Sequence, residues 1–496
     1  MRKTGLPLAF LPFLLLFFSS CGEREKTLEA PTRPNVLFIA VDDLRNELGI
    51  HNGFTKSPNM DLLARSGFYF NHHYVQVPTC GASRYALLTG YRPRKSVHLS
   101  NAAIEKEISG KPEDTVPETF IHRFKQEGYH TVGIGKISHS ADGYVYGYED
   151  PVSGEKELPH SWSELLFDAG KWKTGWNAFF AYADGENRQS LKKQVKPYEK
   201  TVVGDKEYPD GLTTALAISK LRELKNQEKP FFMGVGFFKP HLPFNAPKKY
   251  WDLYQRDSIP LSPNPFVPED VHPQSLHGSG EFNQYALGEE KASLEKALSD
   301  AYAQKLRHAY IASISYIDAQ VGKLWEELKA LGLDKNTIIV IWGDHGWHLG
   351  DQQVWGKHTL FENALKSTLI IKTPSLEQQV GGLDHIVETV DIYPTLLELC
   401  GLEAKYPLDG ESFVDIMKGE PLRGKGFAYS YFKNGISLRT PKYRLTQYFR
   451  KEEPTVELYD HSADSLETGN IAGEHPEIVQ RLLPLLQKGN TGLYGN

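Results

Sequence analysis

Residues 36–43 read VLFIAVDD, and residues 338–346 read IIVIWGDHG. Both begin with a short, continuous apolar run rich in β-branched residues, the pattern of a strand buried on both faces of a parallel sheet. Two similar runs, residues 131–135 (TVGIG) and 231–238 (FFMGVGFF), lead to Lys136 and to Lys239-Pro240-His241. Because open α/β sheets bind ligands beyond the carboxyl ends of their strands, the four runs predict a site at one sheet edge.

Helical apolar spacing over residues 117–127 and 294–331 alternates with these strands and predicts an α/β fold, with helices flanking a large mixed, mostly parallel central sheet. We assign residues 34–410 to this catalytic domain. Residues 411–496 contain short strand-like pieces and a closing helix, which predict a smaller C-terminal α+β subdomain with a short antiparallel sheet. Residues 257–280, rich in Pro, His, Ser and Gly, are interpreted as a surface insertion.

The amino terminus carries an export signal. Arg2 and Lys3 precede an apolar run over residues 6–18, which is shorter than the roughly 20 residues that span a bilayer. The small residues Ser19 and Ser20 before Cys21 resemble a bacterial lipobox, which implies lipidation of Cys21, with ordinary signal cleavage as the alternative. We therefore predict a signal peptide over residues 1–21, a tether over residues 22–33, and a protein at the periplasm or cell surface whose contact with the membrane is a lipid anchor.

The net charge and the cysteine count limit which partners and which disulfide bonds are expected. The 496-residue chain has a net charge of -6, which argues against a nucleic-acid partner while allowing a local basic pocket for an anionic substrate. Beyond Cys21 only Cys80 and Cys400 remain, so no disulfide framework is expected. Cys400 ends an apolar run and is predicted to be a buried small hydrophobe, whereas Cys80 needs another explanation.

Cys80 begins the sequence CGASRYALLTG over residues 80–90, which predicts a short helix closed by Gly90. At a helix N-terminus Cys80 would meet free N–H groups that favour anions and lower a thiol pKa. Arg84 lies four residues later and faces the same side. A thiol that only packs is the alternative at this point.

The sequence CGASR with the downstream Thr89-Gly90 resembles the signature of type I sulfatases, and Ala82 is a minor form of a position that is usually proline. This resemblance implies an alkaline-phosphatase-like sandwich fold. It also implies that a formylglycine-generating maturation enzyme oxidises Cys80 to formylglycine before export is complete. One hydroxyl of the hydrated aldehyde would then attack sulfur, and the other would later expel sulfate.

Three acidic residues at the ends of two predicted strands are suited to a hard cation, which prefers oxygen ligands. By resemblance, residue 80 completes a metal site for Ca²⁺, with Mg²⁺ as the alternative. Many sulfatases have asparagine at the position of His345. The predicted metal ligands are Asp42, Asp43, Cys80, Asp344 and His345.

Histidines beyond two neighbouring strands suit proton transfer near neutral pH. By resemblance, His241 protonates the leaving alcohol and His139 deprotonates the sulfated intermediate. The sulfate oxygens would be held by three cations, Arg84, Lys136 and Lys357. Trp347 and His348 adjoin the metal pair and are predicted to contact substrate.

The resemblance covers the mature chain and is strongest to the iduronate-2-sulfatase branch, through VDDLR (residues 41–45), KPHLPF (239–244) and GDHGWHLG (343–350). It implies hydrolysis of sulfate esters on acidic glycans, of glycosaminoglycan or algal origin, with the 2-position of a uronic acid favoured. Two alternatives stay open: a phosphonate or phosphate ester hydrolase of the same superfamily, and an inactive glycan-binding lipoprotein.

Overall fold

The run VLFIAV forms a central strand in the computed structural model of the protein, which describes residues 1, 2, 5, 33–145, 153–374, 376, 381–421, 424–451 and 455–494. Within these residues the strands are β1 Asn35–Val41, β2 Phe68–Tyr74, β3 His130–Gly135, β4 Glu164–Leu166, β5 Tyr198–Thr201, β6 Phe231–Phe237, β7 Phe244–Pro247, β8 Thr337–Gly343, β9 His348–Leu349, β10 Trp355–Gly356, β11 Leu369–Lys372, β12 Gly381–Glu388, β13 Ala428–Phe432, β14 Gly435–Arg439, β15 Tyr443–Tyr448 and β16 Thr455–Asp460.

The α-helices of the described residues lie between and around these strands. They are α1 Gly49–Asn52, α2 Pro58–Arg65, α3 Cys80–Thr89, α4 Ala103–Glu107, α5 Phe120–Gln126, α6 Gly175–Phe179, α7 Pro209–Leu224, α8 Lys248–Trp251, α9 Gly280–Asn283, α10 Asp300–Leu331, α11 Glu362–Leu365, α12 Ile392–Leu399, α13 Val414–Met417 and α14 Pro476–Lys488.

The large sheet has the strand order β12-β2-β11-β8-β1-β6-β3-β4 among the described residues. The pairs that involve β1, β3 and β6 are parallel, whereas β11 runs antiparallel to both β8 and β2. The four apolar runs are the adjacent strands β8, β1, β6 and β3, so their carboxyl ends lie side by side. The predicted mixed, mostly parallel sheet is confirmed.

Side chains of β1 alternate between two hydrophobic clusters, one on each face of the sheet. Leu37, Ile39 and Val41 pack on one face, while Phe38 and Ala40 pack on the other. A strand buried on both faces gains little from alternating polarity, which explains its continuous apolar sequence.

Caps set the bounds of the two predicted helices. Thr119 accepts a hydrogen bond from the backbone N–H of His122, so α5 begins three residues later than the apolar spacing indicated. Ser299 caps α10 in the same way, and Gly332 closes it in a left-handed conformation with φ of 71°.

The C-terminal strands form a separate antiparallel sheet in the order β13-β14-β15-β16, on which α14 packs. Residues 33–496 make one compact unit, within which the backbone N–H of Tyr431 on β13 donates to the carbonyl of Gln76, 2.7 Å away. Cys400 is buried with a free thiol, as predicted.

Within the described part of the chain, no helix has the length and apolar character required to cross a bilayer. The predicted apolar run of the signal and the lipidation site Cys21 lie outside the described residues.

Candidate active site

The ends of β1 and β8 place four side chains together. Asp42 and Asp43 follow β1, Asp344 and His345 follow β8, and all four are fully buried. The backbone N–H of Asp43 donates to Oδ1 of Asp344 across the strand pair, at 2.9 Å. Asp43 has a φ of 61°, a left-handed conformation that aspartate tolerates better than most residues and that is frequent at functional sites.

Cys80 is the first residue of α3, and every residue of that helix is buried. Its Sγ lies 3.3 Å from Nε2 of His345 and 3.3 Å from Nζ of Lys357. Gly81 allows this placement, because a Cβ there would lie 2.4 Å from the carbonyl oxygen of Asn101. The Asn101 side chain accepts a hydrogen bond from the Gly81 N–H at 2.9 Å, which fixes the start of the helix.

The expectation that the helix terminus lowers the thiol pKa is wrong. Burial raises the pKa of Cys80 well above its ordinary value, and the charge of Asp42 acts in the same direction. An unmodified Cys80 is therefore a protonated thiol and a poor nucleophile near neutral pH.

The buried carboxylates fit a divalent cation. Oδ1 of Asp42 and Oδ2 of Asp43 are buried without a hydrogen-bond partner among the described residues. Ligand atoms of Asp42, Cys80, Asp344 and His345 all lie within 4.8 Å of one another. Burial raises the pKa of Asp43, raises that of Asp344 to about 6, and lowers that of His345 to about 4. A bound cation would keep the carboxylates ionised and accept a neutral imidazole.

Arg84 lies beneath these carboxylates. Its Nε donates to Oδ2 of Asp344 at 3.0 Å, its Nη2 is 3.6 Å from Oδ1 of Asp42, and its Nη1 donates to the carbonyl of Ile137 at 3.1 Å. Arg84 has no exposed surface and does not line the cavity described below. The sequence predicts that Arg84 holds sulfate oxygens; in the structure its guanidinium contacts the carboxylates of Asp42 and Asp344.

Lys136 and Lys357 are the two lysines that face Cys80. Lys136 pairs with Asp42 and lies 4.1 Å from the ring centroid of Phe179, while Nζ of Lys357 lies 2.9 Å from Oδ1 of Asp43. Although burial opposes its charge, the carboxylate of Asp43 helps to raise the pKa of Lys357 well above the ordinary value. Both side chains therefore bring fixed positive charge toward an anion at Cys80.

The two predicted histidines have opposite surroundings. Nε2 of His241 lies 3.0 Å from Oε1 of Glu281, and Nδ1 lies 2.7 Å from the carbonyl of Leu242, so both ring nitrogens face acceptors. Nδ1 of His139 has no partner among the described residues. Burial and the neighbouring Lys136 charge hold the pKa of His139 well below its usual value, so this ring is neutral.

These groups open onto one cavity. Its lining also includes residues that the sequence did not indicate, because only distant contacts bring them here. They are Asn101, Arg188, His277, Glu281 and Lys433. His277 and Glu281 lie at and just past the end of the stretch interpreted as a surface insertion, so that stretch leads into the site.

One further side chain of the cavity comes from the C-terminal sheet. Phe432, at the end of β13, stacks on His358 with ring centroids 5.4 Å apart and an interplanar angle of 6°. Lys433 follows in a left-handed conformation with φ of 49°. The turn between β13 and β14 therefore contributes to the wall of the cavity.

Trp347 and His348 do not line the cavity, which corrects the expectation that they contact substrate directly. Both are fully buried. The ring nitrogens of His348 are engaged by the carbonyl of Asp351 and the hydroxyl of Thr359, at 3.2 and 2.8 Å. Trp347 packs behind the wall of the cavity, with its ring centroid 5.2 Å from Nζ of Lys357, and supports that lysine.

Comparison with known proteins agrees with this geometry. The family model described as Sulfatase matches residues 34–402, and that of the C-terminal region of N-sulphoglucosamine sulphohydrolase matches residues 343–489. The chain is 32% identical to a sulfatase of Formosa agariphila over 96% of this chain and 92% of the relative. It is 31% identical to iduronate 2-sulfatase of Homo sapiens over 81% and 75%.

A solved structure shares the fold at lower identity. The phosphonate monoester hydrolase of Agrobacterium radiobacter superposes with a TM-score of 0.73 at 22% identity, covering 92% of this chain and 96% of that one. This likeness shows the fold alone, since one fold hosts several reactions. The family match and the two relatives go further: the chain belongs to the sulfatase family and is a sulfuric ester hydrolase.

Proposed function

We propose that the protein hydrolyses the 2-O-sulfate ester of a uronic acid in an acidic glycan, with formylglycine at residue 80 and Ca²⁺ at the carboxylate cluster. The observation that carries this proposal is the convergence of Lys136, Lys357, His139 and His241 around Cys80 at the floor of one cavity. The name of the iduronate 2-sulfatase relative supports a uronic acid as the sulfated sugar.

Sulfate binding depends on the two lysines. Lys136 and Lys357 face Cys80 from different strands and present ammonium groups to the oxygens of a bound sulfate. Their charges are already fixed by Asp42 and Asp43, so little reorganisation accompanies the growth of negative charge during transfer. A bound cation would add positive charge near the sulfate, and the hydrate of formylglycine would supply a hydroxyl nucleophile in place of the thiol.

Proton transfer is divided between the two histidines. His241, held 3.0 Å from Glu281, would give a proton to the leaving sugar oxygen. The neutral ring of His139 would accept one when sulfate is released. An acid and a base in one site need different surroundings, as these two histidines have.

Two measurements test this function. Peptide mass spectrometry of protein made with a formylglycine-generating enzyme should find the aldehyde at residue 80, and sulfate release should be highest from 2-O-sulfated uronic acids in a panel with sulfated hexosamines and galactans. Release only from the other sugars would contradict the uronate assignment. Hydrolysis of a phosphonate monoester in preference to every sulfate ester would contradict the sulfatase proposal itself.

We also propose that the protein is exported and anchored to a bacterial membrane through a lipid on Cys21. Support comes from the basic residues, the apolar run and the small residues that precede this cysteine. Metabolic labelling with a fatty acid should mark the wild type and leave Cys21→Ser unlabelled. A labelled Cys21→Ser protein would contradict the anchor site.

A further inference from the structure

Arg188 is held in a fixed position beside the catalytic cavity. Its backbone N–H donates to the carbonyl of Phe180 at 3.2 Å, and its carbonyl accepts from the N–H of Lys193 at 2.7 Å. The guanidinium carbon lies 3.5 Å from the ring centroid of Phe180 and 5.6 Å from that of Tyr285. The guanidinium plane is therefore supported by aromatic rings, an arrangement that leaves N–H groups at its edge for a ligand.

The charge of this arginine has no counterion within the described part of the chain. Arg188 is only 8% exposed, no carboxylate oxygen of the described residues lies within 4.0 Å, and its Nε has no hydrogen-bond partner there. A neutral group, the side-chain amide of Gln189, can accept from Nη2 at 3.2 Å. The buried hydroxyl of Tyr285 beside it is a second neutral group. A buried, uncompensated charge is costly unless a ligand compensates it.

An aromatic wall connects this arginine to the reacting groups. Phe179 and Phe180 are adjacent, with ring centroids 4.7 Å apart. Lys136, which faces Cys80, lies over Phe179, and Arg188 lies over Phe180. Both cations line the same cavity, so a molecule with its sulfate at Lys136 would extend along the wall toward Arg188.

We propose that Arg188 forms a second anion subsite, which binds the carboxylate of the sulfated sugar and selects uronic acids over neutral sugars. The proposal rests on the sulfatase function proposed above. Arginine suits this task because its planar fork matches the two oxygens of a carboxylate. The acidic residue of the cavity, Glu281, is already engaged by His241 and Lys357 and does not compete for Arg188.

The test compares a 2-O-sulfated uronic acid disaccharide with its carboxyl-reduced analogue, in which a hydroxymethyl group replaces the carboxylate. We expect kcat/KM of the formylglycine-bearing wild type to favour the carboxylate by about 10- to 100-fold, as for one charged hydrogen-bonded pair. Arg188→Gln should remove this preference by lowering kcat/KM for the carboxylate alone. Lys192→Gln, an exposed cation of the same loop, is the matched control and should keep it.

Three outcomes would overturn the subsite. They are equal kcat/KM for both sugars in the wild type, an equal loss for both in Arg188→Gln, and a loss confined to a disulfated hexosamine, which would assign Arg188 to a second sulfate. Absence of sulfate release from any sugar would instead reject the proposed function. In that case, the Kd of the uronic acid disaccharide for protein with unmodified Cys80 still tests Arg188, because Arg188→Gln should raise this Kd about 10-fold or more.

Discussion

The carboxylate of Glu281 lies 3.0 Å from Nε2 of His241 and 3.6 Å from Nζ of Lys357, so one acidic side chain contacts two residues with proposed catalytic roles. We infer that Glu281 is a positioning residue that orients His241 toward the leaving oxygen. Glu281→Gln should lower kcat for sugar sulfates by about 10- to 100-fold, the effect of losing one charged hydrogen bond.

This prediction is checked with two kinds of leaving group. An aryl sulfate, whose leaving oxygen needs little protonation, should be hydrolysed by Glu281→Gln at nearly the wild-type rate. Glu289→Gln removes a more exposed carboxylate that pairs with Lys305 and should leave both rates unchanged. Equal losses of activity on sugar and aryl sulfates would contradict the positioning role.

Removal of the cation should abolish sulfate release and lower thermal stability together. We expect the oxygens of Asp42 and Asp43 that lack a hydrogen-bond partner among the described residues to bind the cation only in the folded protein, so Ca²⁺ at about 100 times its Kd should stabilise the fold by about 2.7 kcal/mol. Differential scanning calorimetry with and without a chelator measures this shift. Asp344→Asn should reduce the shift, and a Tm that is insensitive to chelator would contradict the site.

Substitution of Arg84 should destabilise the whole fold. Arg84→Met leaves the buried carboxylates of Asp42 and Asp344 without their guanidinium partner, which should cost about 3–5 kcal/mol in the free energy of unfolding. Arg222→Met removes an exposed pair with Glu327 and should leave the free energy of unfolding nearly unchanged. Urea denaturation compares the two, and similar losses would show that Arg84 is not structural.

Acid should destabilise the protein through His73, a buried residue of β2. Its ring nitrogens lie 3.2 Å from the carbonyl of Ser367 and 2.9 Å from the hydroxyl of Thr389, and burial lowers its pKa from 6.5 to about 4. Since the unfolded chain binds the proton more tightly, this stability is complete above pH 6.5 and is lost as the pH falls toward 4, by about 3 kcal/mol.

The measurement is the free energy of unfolding between pH 7.5 and 4. His73→Asn should be less stable at neutral pH yet lose less stability on acidification than the wild type. His475→Asn, which removes an exposed histidine, should follow the wild-type slope. If the free energy of unfolding of His73→Asn fell with pH as steeply as that of the wild type, the assignment of this acid sensitivity to His73 would be contradicted.

The central strands were predictable because burial on both faces leaves a continuous apolar run, as in β1 and β8. Strands β2 and β14 were missed. Three of the seven residues of β2 are only partly buried and the sequence FYFNHHY has no continuous apolar run, while the five-residue β14 lies between strands that the sequence already indicated. Antiparallel β11, with the sequence LIIK, was also missed, since so short an apolar run cannot be told from a buried helix segment by periodicity.

The site divides in the same way. Residues of local motifs, such as Asp42 and Cys80, were found because each follows or begins a recognisable element. Glu281 and Arg188 were not, since a partner 40 residues away or an aromatic wall gives each its role. For Trp347, adjacency in sequence was weighted too heavily. A residue close in sequence to a predicted metal ligand can lie behind the wall of the cavity instead of facing the cavity.

The turn that carries Phe432 and Lys433 joins two strands whose pairing continues from Phe432 and Gly435 down to Ala428 and Arg439. Its tip can change in length or sequence while this ladder keeps its register, because hairpin tips tolerate insertion. Divergence at these few positions would alter which sulfate esters enter while leaving hydrolysis intact. The tip of this hairpin is therefore the first segment to vary when the substrate preference of the enzyme is to be changed.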